Sequence, residues 1–125
     1  MSTTALALDA NLTVLVGTLA RPPERRELPS GDSVLGLEVS TRVDGGPLET
    51  ANVAWHGAPA AAERWLDGEQ VLVVGRTRRR FFRVAGRTES RTEVVAAVAM
   101  PTRRAVAARS ALEAAAGTLL ELLDG

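Results

Sequence analysis

The chain has no cysteine, which excludes disulfides, thiolate metal sites and cysteine nucleophiles. It has no lysine either, so all 15 basic residues are Arg and no G-x-x-x-x-G-K phosphate loop exists. Histidine is reduced to His56, with no second His or Cys to share a metal and no G-x-S-x-G nucleophile to serve. His56 is therefore read as a structural or surface residue, and the expectation is a non-enzyme with no catalytic residues, no metal and no cofactor. Aromatics are scarce: Trp55, Trp65, Phe81 and Phe82 are the whole set. No apolar run reaches the ~18 residues a membrane span needs. Met1 to Asp9 lacks the basic flank and apolar stretch of a secretory leader. A cytoplasmic protein without membrane contact is expected.

What is present suits one folded domain of 125 residues, with 46% hydrophobic and 24% charged residues. Formal charge is zero, but its layout is polar. Residues 1–75 carry five Arg and ten acids, residues 76–109 carry ten Arg and only Glu89 and Glu93, and residues 110–125 carry three acids and no Arg. The central block, at net +8, is either an electrostatic footprint for a polyanion or a solvated face. Arginine suits the first reading, because its planar guanidinium binds phosphate with two donors or stacks on a base.

Residues 1–10 read as a loose arm or an edge strand. Asn11 to Leu19 is β-branched and apolar, a strand with a bulge or bend at Gly17. Arg25 to Leu28 allows a short polar strand before the turn Pro29-Ser30-Gly31-Asp32. Ser33 to Arg42 alternates, with Leu35, Leu37 and Val39 on one face, and Glu49 to Trp55 makes a third main strand. Pro59 to Leu66 reads as a short helix of about two turns, stopped by Asp67-Gly68. Gln70 to Phe82 and Ser90 to Met100 are strands joined by a hairpin tip at Val84–Arg87. Five strands with a helix between the third and fourth is the order of an OB-fold, a small Greek-key barrel. The expected fold is therefore all-β: a five-stranded OB-fold barrel over residues 1–102 and a helical extension over residues 103–125. In that extension Ser110 and Glu113 have capping-box spacing. Leu112, Ala116, Leu119, Leu120 and Leu123 then share one helical face, which packs on the barrel or contacts another subunit.

Four pieces of the chain, in order, resemble the bacterial single-stranded DNA-binding proteins. Asn11 to Gly31 resembles their N-x-V-x-L-x-G-x-L-x-R-D-P-E-x-R opening followed by P-S-G. Ser33 to Thr41 resembles the A-V-x-x-F-x-L-A-T strand, Gln70 to Arg80 the Q-V-x-V-x-G-R-L-R-T-R strand, and Thr92 to Ala96 the closing T-E-I-V-A. The resemblance spans residues 11–100. It implies an OB-fold, homo-oligomerisation (as a tetramer, with a dimer as the alternative) and sequence-tolerant binding of single-stranded DNA in replication, recombination and repair. It also implies a place near the nucleoid. The sequence also departs from the family, with Thr13 for an apolar residue and Leu37 in the Phe place. Pro22 stands for the usual Asp, the loop Val43–Leu48 is short, and no aromatic lies between Ser33 and Ala54. Leu120 to Gly125 does not match the family's acidic tip, so recruitment of replication or repair proteins through such a tail is not expected.

Binding without sequence readout needs flat apolar surfaces for bases and fixed positive charge for phosphates. Trp55 matches a family position that stacks on bases; its alternative is core packing. Alternation places Arg76, Arg78, Arg80 and Phe82 on one face of the fourth strand, and Thr77, Arg79, Phe81 and Arg83 on the other. Phe82 and Phe81 either contact bases or clasp the hairpin. Arg87 and Arg91 thicken the same track on the returning strand, and Arg42 at the end of the second strand is a further candidate. Arg21 is read as an ion pair with Glu24 or a phosphate contact, Trp65 as core, and Arg103, Arg104 and Arg109 as solvent-facing. The competing reading is an OB-fold interaction module in a replication or repair assembly, with DNA binding weak or lost.

Overall fold

The computed structural model describes residues 9–124, and in it the alternating segments become strands. In order these are β1 (Thr13–Leu19), β2 (Glu24–Glu27), β3 (Ser33–Thr41), β4 (Glu49–His56), β5 (Gln70–Val84) and β6 (Arg87–Pro101), followed by α1 (Ala105–Asp124). The reading of residues 1–10 falls almost entirely outside the described residues. β1 pairs with β5, β5 with β6, β6 with β4, β4 with β3, and β3 returns to β1 at Thr18–Ser40 and Leu19–Val39. The sheet thus closes into a barrel-like ring, and only the β4–β6 pairing is parallel.

The strand count is six rather than five. The extra one, β2, is the polar segment after Arg21-Pro22-Pro23. Proline supplies no amide donor for a ladder, and pairing along β3 resumes beyond it. β3 therefore carries β1 on the far half of one edge and β2, from Glu24–Gly36 to Glu27–Ser33, on the near half. β2 has no apolar face to bury. Its anchor is Arg25, which donates to Ser33 Oγ at 3.0 Å and Ala58 O at 3.1 Å and pairs with Glu63 at 3.0 Å.

Inside the ring lie Leu35, Leu37 and Val39 of β3, Val53 of β4, Val71 and Val73 of β5, and Val94 of β6. These are the inward members of the period-2 pattern. Gly17 makes no bulge, since its pairing with β5 runs unbroken through Val71. It is glycine because a Cβ there would overlap Ser40 O, where β1 crosses from β5 to β3. The register shift lies instead at Val74/Gly75, where Ala97 of β6 is passed over and a Cβ on Gly75 would overlap Val95 O.

Between β4 and β5 the chain forms a 3-10 helix, Ala60–Arg64, instead of a two-turn helix. Ala62 N–H donates to Pro59 O and Trp65 N–H to Ala62 O, the i→i+3 bonds of a segment too short for α-helical bonding to pay its nucleation cost. The C-terminal helix starts at Ala105, so Ser110 and Glu113 lie within it and do not cap it. Its packed side also differs from the leucine face. Ala107, Ala108, Ala111 and Ala115 lie against Leu72, Val74, Val98 and Met100 on the outside of the barrel. Small side chains let the helix backbone approach the sheet, while Leu112, Leu119, Leu120 and Leu123 remain exposed.

Candidate functional site

β5 and β6 are each 15 residues long, about twice what the barrel uses. β1 leaves β5 at the Thr13–Gly75 pair, and Asn11 extends that support by one step. Its side-chain amide donates to Thr77 O at 2.8 Å and its Oδ1 accepts from Thr77 N–H at 3.1 Å, imitating one more strand residue. β4 pairs with β6 only at Val94 and Val95. Beyond these points residues 78–93 pair only with one another, making a two-stranded arm. Its tip is Ala85-Gly86, both at positive φ (51° and 80°), the geometry of a tight primed hairpin turn.

One face of the arm carries the pairs Arg78–Glu93, Arg80–Arg91, Phe82–Glu89 and Val84–Arg87. It leans over the outward side of β2, β3 and β4 and encloses a groove of about 410 Å³. Arg80, Phe82 and Arg91 line the groove from the arm, and Arg26, Gly36 and Asn52 line it from the barrel. At Gly36 the floor is open: a Cβ would meet only Glu24 O, at an ordinary 3.5 Å.

The charges in the groove are not equivalent. Arg78 donates to Glu93 Oε1 at 2.8 Å, and the Glu93 side chain is only 8% exposed, so this cation is committed to a buried carboxylate. Arg21 pairs with Glu38 at 3.1 Å, and not with Glu24. Arg87 pairs with Glu89 at 3.2 Å near the tip. Among the described residues Arg26, Arg80 and Arg91 have no carboxylate within ion-pair distance. Arg80 and Arg91 are directly opposed across the strands, which is repulsive in the absence of an anion. The Arg91 guanidinium lies 5.3 Å from the centroid of the half-buried Phe82 ring, a cation–π contact that fixes both groups.

The arm's other face holds Arg79, the 65% exposed Phe81 and Arg83, opposite Thr92, Ser90 and Thr88. It contains no acid. Arg83 donates to Gly86 O at 3.1 Å, which steadies the tip.

The remaining sequence candidates lie elsewhere. Trp55 is 7% exposed and sits in the barrel core, its ring 5.8 Å from that of Trp65. It is opposite Leu35 and two residues from the inward Val53, so strand parity turns it inside and leaves no ring face for a base. The stacking assignment for Trp55 is corrected accordingly, and Trp65 packs against the core as expected. Arg42 donates to Gly46 O at 2.7 Å, closing its own turn, and does not line the groove. Arg76 is exposed at the base of the arm, and His56 is exposed at the end of β4. Arg103 is held by Glu69 at 2.8 Å.

Sequence reasoning missed Arg26, Gly36 and Asn52. Arg26 sits in a four-residue polar strand with no apolar alternation to place it. Gly36 and Asn52 could have been found as outward-parity positions on β3 and β4. The groove therefore offers unpaired guanidinia, an amide and an aromatic edge in one concave strip that also holds Glu24, Glu38 and Glu93, and its unpaired cations with a ring suit a chain bearing both anionic and flat apolar groups. No protein-family model matches this chain.

Proposed function

We propose that this chain binds single-stranded DNA without sequence readout and without catalysis, as a divergent, homo-oligomeric OB-fold relative of the single-stranded DNA-binding proteins. The fold reading is supported by the ring order β1–β5–β6–β4–β3, with β2 continuing the first strand along β3. The observation that carries the function is the set Arg26, Arg80 and Arg91, none within ion-pair distance of a carboxylate, lining one groove with Phe82, where Glu38 and Glu93 are already held by Arg21 and Arg78. A phosphate between Arg80 and Arg91 would relieve their mutual repulsion and gain charge-assisted hydrogen bonds. Phe82 in the groove and Phe81 on the arm's other face would each take a base, at about 1–3 kcal/mol per stack. Arg79 and Arg83 would hold phosphates of the strand as it passes over the other face.

The test is an anisotropy titration of end-labelled oligo(dT) at two salt concentrations. Tryptophan quenching would be a poor reporter, since Trp55 is interior. Saturable binding that weakens with salt is expected, and Arg80→Ala with Phe82→Ala should weaken it while the barrel stays folded. Binding that is unchanged in that double variant would refute the assigned groove. No saturable signal at low salt would select the interaction-module reading, which the interior position of Trp55 favours.

A further inference from the structure

We infer that α1 is a self-association element, pairing antiparallel with α1 of a second copy of this chain through its leucine face. Leu112, Ala116, Leu119 and Leu123 follow a 4-3-4 spacing along the 20-residue helix, the spacing of a helix–helix seam. Leu120 widens this stripe. None of these side chains is used by the barrel: exposures run from 39% at Leu119 to 70% at Leu123. The alanines that do pack on β5 and β6 lie about a third of a turn away, so the seam stays open while the helix is docked.

Charge selects the occupant and its direction. α1 has no acid in its first turn and no base in its last. Arg103, Arg104 and Arg109 cluster at its start, Arg103 held by Glu69 and Arg109 in a loose, exposed 3.9 Å pair with Glu113, and Glu121 and Asp124 lie along the rest. That order opposes the helix's own macrodipole, positive at the N-terminus and negative at the C-terminus. A second α1 running the other way offsets the mismatch at both ends. With the two-fold axis at Ala116, each Leu112 meets Leu120, the Arg109 stem of each copy packs along Leu123 of the other, and its guanidinium reaches the neighbouring Asp124. Such a pairing is self-complementary and closes as a dimer. It does not depend on nucleic acid.

The test measures mass in solution by light scattering, on the full chain without DNA. A multiple of the chain mass is expected, and Leu112→Glu with Leu120→Glu, which sets carboxylates against each other across the seam, should halve it while the chain stays folded. Arg109→Glu should weaken the association, and Arg109→Glu with Asp124→Arg should restore it. Because the chain has no cysteine, a single introduced thiol reports direction. Ala116→Cys, at the axis, should form a disulfide-linked dimer on mild oxidation. Leu123→Cys should not, since antiparallel copies hold that position ~21 Å apart along the axis. A single-chain mass, a mass indifferent to the glutamates, or linkage through Cys at 123 instead of 116 would overturn the inference. A DNA titration that fails while the mass results hold would count against the proposed function alone.

Discussion

Arg78 and Arg80 are neighbours on one face of the arm but differ in their partners. Arg78 neutralises a buried carboxylate, whereas Arg80 faces Arg91. Their substitutions should separate cleanly. Arg78→Ala strands Glu93 and should cost about 1.5–3 kcal/mol in a urea melt, the range for a hydrogen bond to a charged group. Arg80→Ala should leave stability unchanged or slightly raised, whereas Arg91→Ala also loses the contact with Phe82 and should cost up to about 1 kcal/mol. In exchange, each should lower the salt dependence of oligo(dT) affinity by about 0.7 in log–log slope. Glu93→Gln releases Arg78 and removes an acid beside the groove, so binding should tighten. Trp55→Ala should act in the opposite sense to a binding residue. It opens a hole in the core and should cost about 3–5 kcal/mol of stability. Gly36→Val, where the backbone has room, should fold normally and bind less tightly because the branched side chain occupies the groove floor.

Strands were legible wherever one face met the core. Leu35, Leu37 and Val39 announced β3 through their alternation, and the long β5–β6 hairpin followed from its turn residues. Trp55 shares the parity of Val53, and strand phase rather than the stacking chemistry of an indole decides where it points. β2 was faint because a strand that buries nothing shows no period; only its partners Ser33, Ala58 and Glu63 explain it. In α1 the leucines outweighed the alanines on any hydrophobicity scale, yet close approach to the sheet favours the smaller side chain. The hairpin tip carries its own prediction. Ala85 at φ 51° is held in a region alanine disfavours by roughly 1–2 kcal/mol, whereas asparagine accepts it. Ala85→Asn should slow amide exchange across residues 80–90 and leave the barrel amides unchanged.

Over the whole molecule the opposite charges cancel, so attraction toward a polyanion acts close to the arm rather than at long range. Affinity should therefore fall with salt by a slope of about 2–4, as expected for three to five guanidinium–phosphate contacts, and not by the steeper slope of a uniformly basic protein. The arm's isolation has a consequence for any experiment on it. Past Thr77 both of its outer edges expose unpaired amides and carbonyls, the kind of border along which foreign strands add to a sheet. The guanidinia along it repel such additions. A variant stripped of Arg79, Arg80, Arg83 and Arg91 together would leave a bare, partly aromatic ribbon prone to stacking with its own kind, and its loss of function would then be read from a precipitate.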